Sequence, residues 1–140
     1  MTWTVEGYVG LGPIKLGADR AGVRAALSEE PKSFTRTAAA SASGDEEYES
    51  AGVFVYYDDS DRVDFVESYA TAGESVPRFG VVSLNGRDMR EVLADLDGAG
   101  LTPDDDDGAS RIFFEAGFAV FSSGYVVEST SVFVKGYYDD

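Results

Sequence analysis

The sequence predicts an α+β fold made of two tandem helix-plus-antiparallel-meander units that form one sheet, with helices packed on one face. Three observations carry this. Two blocks alternate β-branched and aromatic residues, a short amphipathic helical stripe precedes each block, and an offset of about 65 residues superposes one half on the other. The 140 residues suit a single domain, 1–140, with a first pseudo-repeat at about 1–70 and a second at about 79–140.

In chain order, Trp3 reads as a core anchor or sheet-edge plug. The stripe Val23, Ala26, Leu27 then marks a helix that Pro31 closes downstream. Thr37 to Gly44, rich in Ala and Ser, reads as a loose stretch. From Gly52, Val53-Phe54-Val55-Tyr56-Tyr57 forms a strand, Asp58-Asp59-Ser60-Asp61 a turn, and Val63 to Tyr69 the returning strand. Ala70 to Phe79 is the connector. The second helix carries Met89, Val92, Leu93 and Leu96, with Asn85 as N-cap, Asp88 near its start, and Gly98 or Gly100 as its end. Strands follow at 111–114, 118–121, 125–128 and 131–134, with a Ser122-Ser123-Gly124 turn. Superposing the helical stripes needs a shift of 66 residues, and superposing Ala51-Gly52-Val53 on Ala116-Gly117-Phe118 needs 65.

Ile14 to Val23, a later Tyr48, a strand, an acidic turn and Val63-Asp64-Phe65 resemble the helix-plus-meander unit of SmpA/OmlA-type outer-membrane assembly lipoproteins. Two such units in tandem are similar to the β-lactamase inhibitory proteins. The resemblance implies one sheet whose concave face grips another protein. With no Cys, the disulfides of those inhibitors are absent.

Composition narrows the chemistry. Without Cys or His there is no thiol nucleophile, thiolate or His-ligated metal site, or Ser-His-Asp relay. An enzyme is not expected, nor a cofactor. The net charge of −15 opposes nucleic acid and anionic membranes, and the N-terminus shows neither a basic nor an apolar leader region, so a cytoplasmic protein is expected. Asp104 to Gly108 fails as an EF-hand loop, because position twelve falls on Phe114, and no metal is assigned. Gly7, Gly10 and Gly12 make no phosphate cradle, and no carboxylate pair stands out for acid–base work.

The acidity is concentrated. Residues 45–67 hold nine acids and one base, and 104–140 hold eight acids and two bases. Those blocks interleave acids with tyrosines, and Tyr pairs a large contact area with a polar tip. The candidate partner-binding residues are Tyr48, Tyr56, Tyr57, Asp58, Asp59, Asp61, Glu67, Tyr69, Tyr137 and Tyr138. The expected partner is a basic protein, a toxin or an enzyme, neutralised in the manner of an immunity protein. Two alternatives stand beside it: a structural or ligand-binding module whose acidity reflects salt adaptation, and a nucleic-acid mimic. Strand alternation leaves open which sheet face is exposed, and Ser131 to Lys135 reads as a strand able to pair with another chain.

Overall fold

The computed structural model describes residues 3–34 and 44–139. Most of the loose stretch expected at 37–44, and Asp140, therefore lie outside the described residues. The chain is α+β, with two helices and two sheets among those residues. The single sheet expected from the strand blocks is corrected: short strands within residues 3–15, at the end of the expected connector and just after it assemble a second one.

Helix α1 (Arg20–Leu27) starts where the Asp19 carboxylate accepts the Gly22 N–H at 2.8 Å, and ends at Ser28 in the left-handed conformation. Helix α2 (Met89–Gly98) starts at Asp88, which accepts N–H groups of Arg90 and Glu91 at 2.9 and 3.4 Å. The cap expected at Asn85 is thus corrected. Asn85 is buried, and a side chain that can donate and accept clamps the core there. It donates to the carbonyls of Ser68 and Ala70 (2.9 and 3.0 Å) and accepts the Thr130 hydroxyl (2.7 Å).

The smaller sheet comprises β1 (Trp3–Glu6), β2 (Gly10–Leu11), β3 (Ile14–Lys15), β8 (Pro77–Phe79) and β9 (Val82–Ser83), in the order β3-β2-β1-β8-β9. Pairing of β1 with β8 is parallel, and Trp3 is buried in the core. The larger sheet contains β4 (Lys32–Phe34), β5 (Asp45–Tyr48), β6 (Val53–Tyr57) and β7 (Val63–Ser68), then β10 (Asp105–Asp106), β11 (Ser110–Phe113), β12 (Phe118–Phe121) and β13 (Ser129–Phe133). Its order is β10-β11-β12-β13-β7-β6-β5-β4, antiparallel throughout. Residues 125–128 form no strand; Val127 instead exchanges backbone hydrogen bonds with Gly86 and Arg87. The strand at Ser131 is central, bonded on both sides, so among the described strands the edges of this sheet are β4 and β10 rather than β13.

One core joins the helices to one face of the large sheet. Val23, Met89, Val92 and Leu96 share it with Val53, Val55, Val66, Phe118, Val120 and Val132. Alternation then sends Phe54 and Tyr56 to the opposite face. Plain alternation misplaces Val63, however. Tyr56 pairs with Phe65 but Tyr57 pairs with Val63, so Asp64 is an extra residue in a bulge. The bulge turns Val63 into the core while Phe65 and Glu67 stay on the open face.

Candidate functional site

The face of the large sheet turned away from the helices carries a continuous field of rings. Phe34 touches Phe54 and Tyr56 at centroid distances of 5.6 and 5.8 Å, and Phe54 touches Tyr69 at 5.0 Å. Tyr56 meets Phe65 (5.4 Å), Phe65 meets Tyr137 (4.8 Å), and Phe133 meets Tyr138 (4.9 Å). Five of these rings lie on strands; Tyr69, Tyr137 and Tyr138 come from segments just beyond strand ends. Phe34, Phe54, Tyr56, Phe65 and Tyr69 are half-buried, whereas Phe133 is buried with Ile112 and Ala119 against Tyr8 and Tyr137, so the part of the face on β4 to β7 is the more open one and has the make-up of a contact surface.

Carboxylates are set among the rings by strand register. Paired residues of neighbouring strands point to the same side, and one row reads Glu47, Phe54, Glu67, Ser131, Ala119, Ile112. The Tyr69 hydroxyl reaches across β6 to donate to Glu47 at 2.5 Å, and the Ser129 hydroxyl donates to Glu67 at 2.9 Å. Burial, and after it the bond to Glu47, push the Tyr69 phenol well above its ordinary range. The Tyr69 hydroxyl therefore stays a neutral donor. Lys32, next to Glu47 in the row, is instead paired with Glu49 at 2.9 Å.

A second sheet's loop supplies one more ring. Tyr8, between β1 and β2, is held at φ 63°, a left-handed conformation that costs an aromatic residue energy. The surrounding backbone enforces it. A Cβ on Gly7 would stand 1.4 Å from the Ala116 carbonyl oxygen, so only glycine admits this approach. Tyr8 thereby donates its hydroxyl to the Phe114 carbonyl and sets its ring 5.8 Å from Phe133. With Phe114 and Tyr138 they border a cleft of about 290 Å³, with Lys135 and Asp139 at its rim.

The residues singled out from sequence divide into three groups. Tyr56, Glu67, Tyr69, Tyr137 and Tyr138 belong to this face. Tyr48 and Tyr57 do not, and their assignment to a binding surface is corrected: they are 0% and 1% exposed and point into the core. They go inward because a buried acceptor awaits them. Glu46 takes the hydroxyls of Tyr57 (2.6 Å) and Tyr48 (3.1 Å), and its other oxygen lies 3.6 Å from both Arg20 and Arg24. Burial, with the Glu46 charge, pushes both phenols far above their ordinary range. Arg20 covers the Tyr57 ring at 4.0 Å.

The third group builds a turn at the end of β6 and β7. Asp58 accepts the N–H groups of Ser60 and Arg62 at 2.8 and 3.0 Å, and Asp61, at φ 58°, pairs with Arg20 at 2.9 Å. Asp59 is exposed. The other acidic run is likewise structural: Asp107 accepts the N–H groups of Ser110 and Ala109, which holds its carboxyl below the usual range. Sequence reasoning missed Phe34, Phe54, Phe65 and Phe133, whose alternation with core positions was the available signal, and Tyr8, for which no local signal existed.

A larger cleft of about 520 Å³ near Asn85 is lined by Arg78 and Arg87. Those guanidiniums are occupied within the fold: Arg78 donates to the Val81 carbonyl, and Arg87 to the Ser83 carbonyl and Asp95. Among the described residues no group of three or more Asp, Glu, His or Cys side chains is arranged to hold a metal ion, and no helix is long and apolar enough to cross a membrane. Compared with known proteins, the chain matches no family model, no curated protein and no solved structure.

Proposed function

We propose that this chain is a non-enzymatic binding protein that neutralises a basic protein, a toxin or an enzyme, as immunity proteins do. The observation that carries the reading is the open sheet face, where Phe54, Tyr56, Phe65 and Tyr137 lie in ring contact and Glu47 and Glu67 flank Phe54 in its own row. Rings supply desolvated contact area, and the carboxylates steer and select a cationic surface. The salt-adaptation reading accounts for acid anywhere on a surface; it gives no reason for acid placed between rings.

We also propose that the protein is a tandem pair of helix-plus-meander units, as the resemblance to the inhibitory proteins implies. In support, β5, β6 and β7 begin at 45, 53 and 63, and β11, β12 and β13 at 110, 118 and 129, offsets of 65, 65 and 66. The two meanders meet at the antiparallel β7–β13 pair. The duplicated unit thus forms one sheet wider than either half.

The test is capture from a lysate of the source cells at low and high salt, using wild type and a Tyr56→Ala/Tyr137→Ala variant of intact fold. A basic protein held by wild type, released by salt and not held by the variant is expected. Equal retention by both proteins overturns the reading, and so does equal loss on substituting Glu91, an exposed residue of α2 remote from the sheet face in sequence.

A further inference from the structure

The row Glu47–Phe54–Glu67 restricts what can cover this face. Both carboxylates are half-buried, each is held by a neutral hydroxyl, and among the described residues neither is ion-paired. A partner that seats on the Phe54 ring must therefore take both charges out of water. An apolar cover leaves two buried anions uncompensated, and an acidic one adds repulsion. Only a cover that brings cations to both places leaves no charge unpaired.

Register also fixes the spacing. Glu47 and Glu67 lie on strands either side of β6, two interstrand distances apart, or about 10 Å. Resting on the reading of this face as a binding surface for a basic protein, we infer that the occupant presents two cationic side chains about 10 Å apart on either side of an apolar one. The apolar group seats on Phe54 and Tyr69, and the cations pair with Glu47 and Glu67. On a helix that spacing corresponds to residues seven apart, at about 1.5 Å rise each, with the apolar residue near the midpoint. On the protein's side Glu47 and Glu67 are the specificity-determining residues, and Asp58 and Asp59 in the turn are not.

The test uses a synthetic helical peptide with two Arg residues seven apart and a Leu midway, against an isomer with the same residues and the Arg pair three apart. Titration is followed by calorimetry and by NMR of the intact protein. The first peptide should bind about tenfold more tightly, shift Phe54 and Tyr69 resonances, and lose most of that preference in E47Q and E67Q proteins. Binding lost in Phe54→Ala but unchanged in E47Q and E67Q overturns this inference and leaves the face reading standing. Equal affinity of the two isomers, or no binding by either, also overturns it. Binding that none of the three variants weakens counts against the face itself. A Glu67→Lys protein should in turn prefer a peptide whose corresponding Arg is Glu, which separates charge pairing from damage to the fold; failure of that swap overturns the pairing.

Discussion

Replacing Tyr57 by Phe removes one oxygen and tests how this fold keeps a carboxylate inside. The Tyr57 hydroxyl donates to Glu46 at 2.6 Å, and Glu46 is 2% exposed. Phe retains the ring that Arg20 covers at 4.0 Å, so packing is preserved and the change isolates the hydroxyl. A hydrogen bond to a charged acceptor contributes about 1.5–3 kcal/mol, more than a neutral one, because the acceptor is otherwise left under-solvated. The expected loss is about 2 kcal/mol, or roughly 6 °C in Tm for a domain of this size. Tyr48→Phe should cost less, about 1 kcal/mol, since its hydroxyl stands farther away, at 3.1 Å. Urea unfolding of wild type, Tyr57→Phe, Glu46→Gln and the double variant reads the pair directly. The midpoint should move with an unchanged slope, and the double-variant cycle should return a coupling of about 1–2 kcal/mol. A Tyr57→Phe protein within about 0.5 kcal/mol of wild type, or strict additivity with Glu46→Gln, would refute the account of the buried network.

Two further outcomes follow from the same geometry. Tyr48 and Tyr57 ionise less readily folded than unfolded, chiefly through burial and then through Glu46, so the stability they confer is complete below the ordinary phenol value of 10.0. It is lost as pH rises from there toward their folded-state values, at about 1.4 kcal/mol per pH unit for each. In an alkaline titration their tyrosinate absorbance should therefore appear only together with loss of circular dichroism; ionisation of all eight tyrosines in an intact fold would contradict this. Asn85→Ala should cost about 2–3 kcal/mol in urea unfolding, because it strips partners from the buried Ser68 carbonyl, the half-buried Ala70 carbonyl and the Thr130 hydroxyl. A loss no larger than that of Thr130→Val would show that the carbonyl clamp contributes little.

Much of the local structure was legible in the sequence. Val53 to Tyr57 and Phe118 to Phe121 are strands where alternation put them, and the stripes at Val23 and Met89 are helices. These are decided by neighbours a few residues away, which a sequence displays. The candidate site was legible in part. Tyr56, Tyr69 and Tyr137 are on the face, but tyrosine beside acid reads the same whether the acid is Glu46 in the core or Glu67 outside it.

By itself, then, the sequence determined the classes of element, the interleaving of rings with carboxylates, and the chemistry that a chain without Cys or His excludes. Tertiary structure alone decided which face is open, because each strand offers two faces and only distant partners cover one of them. It also decided that Asp64 bulges out of register and that Glu46 is buried under two tyrosines and two arginines. The same holds for Tyr8, which joins Phe133 across 125 positions of sequence because two backbones meet at Gly7 and Gly117 too closely for any side chain between them. Such contacts depend on where the chain returns in space, and no local pattern of residues encodes that.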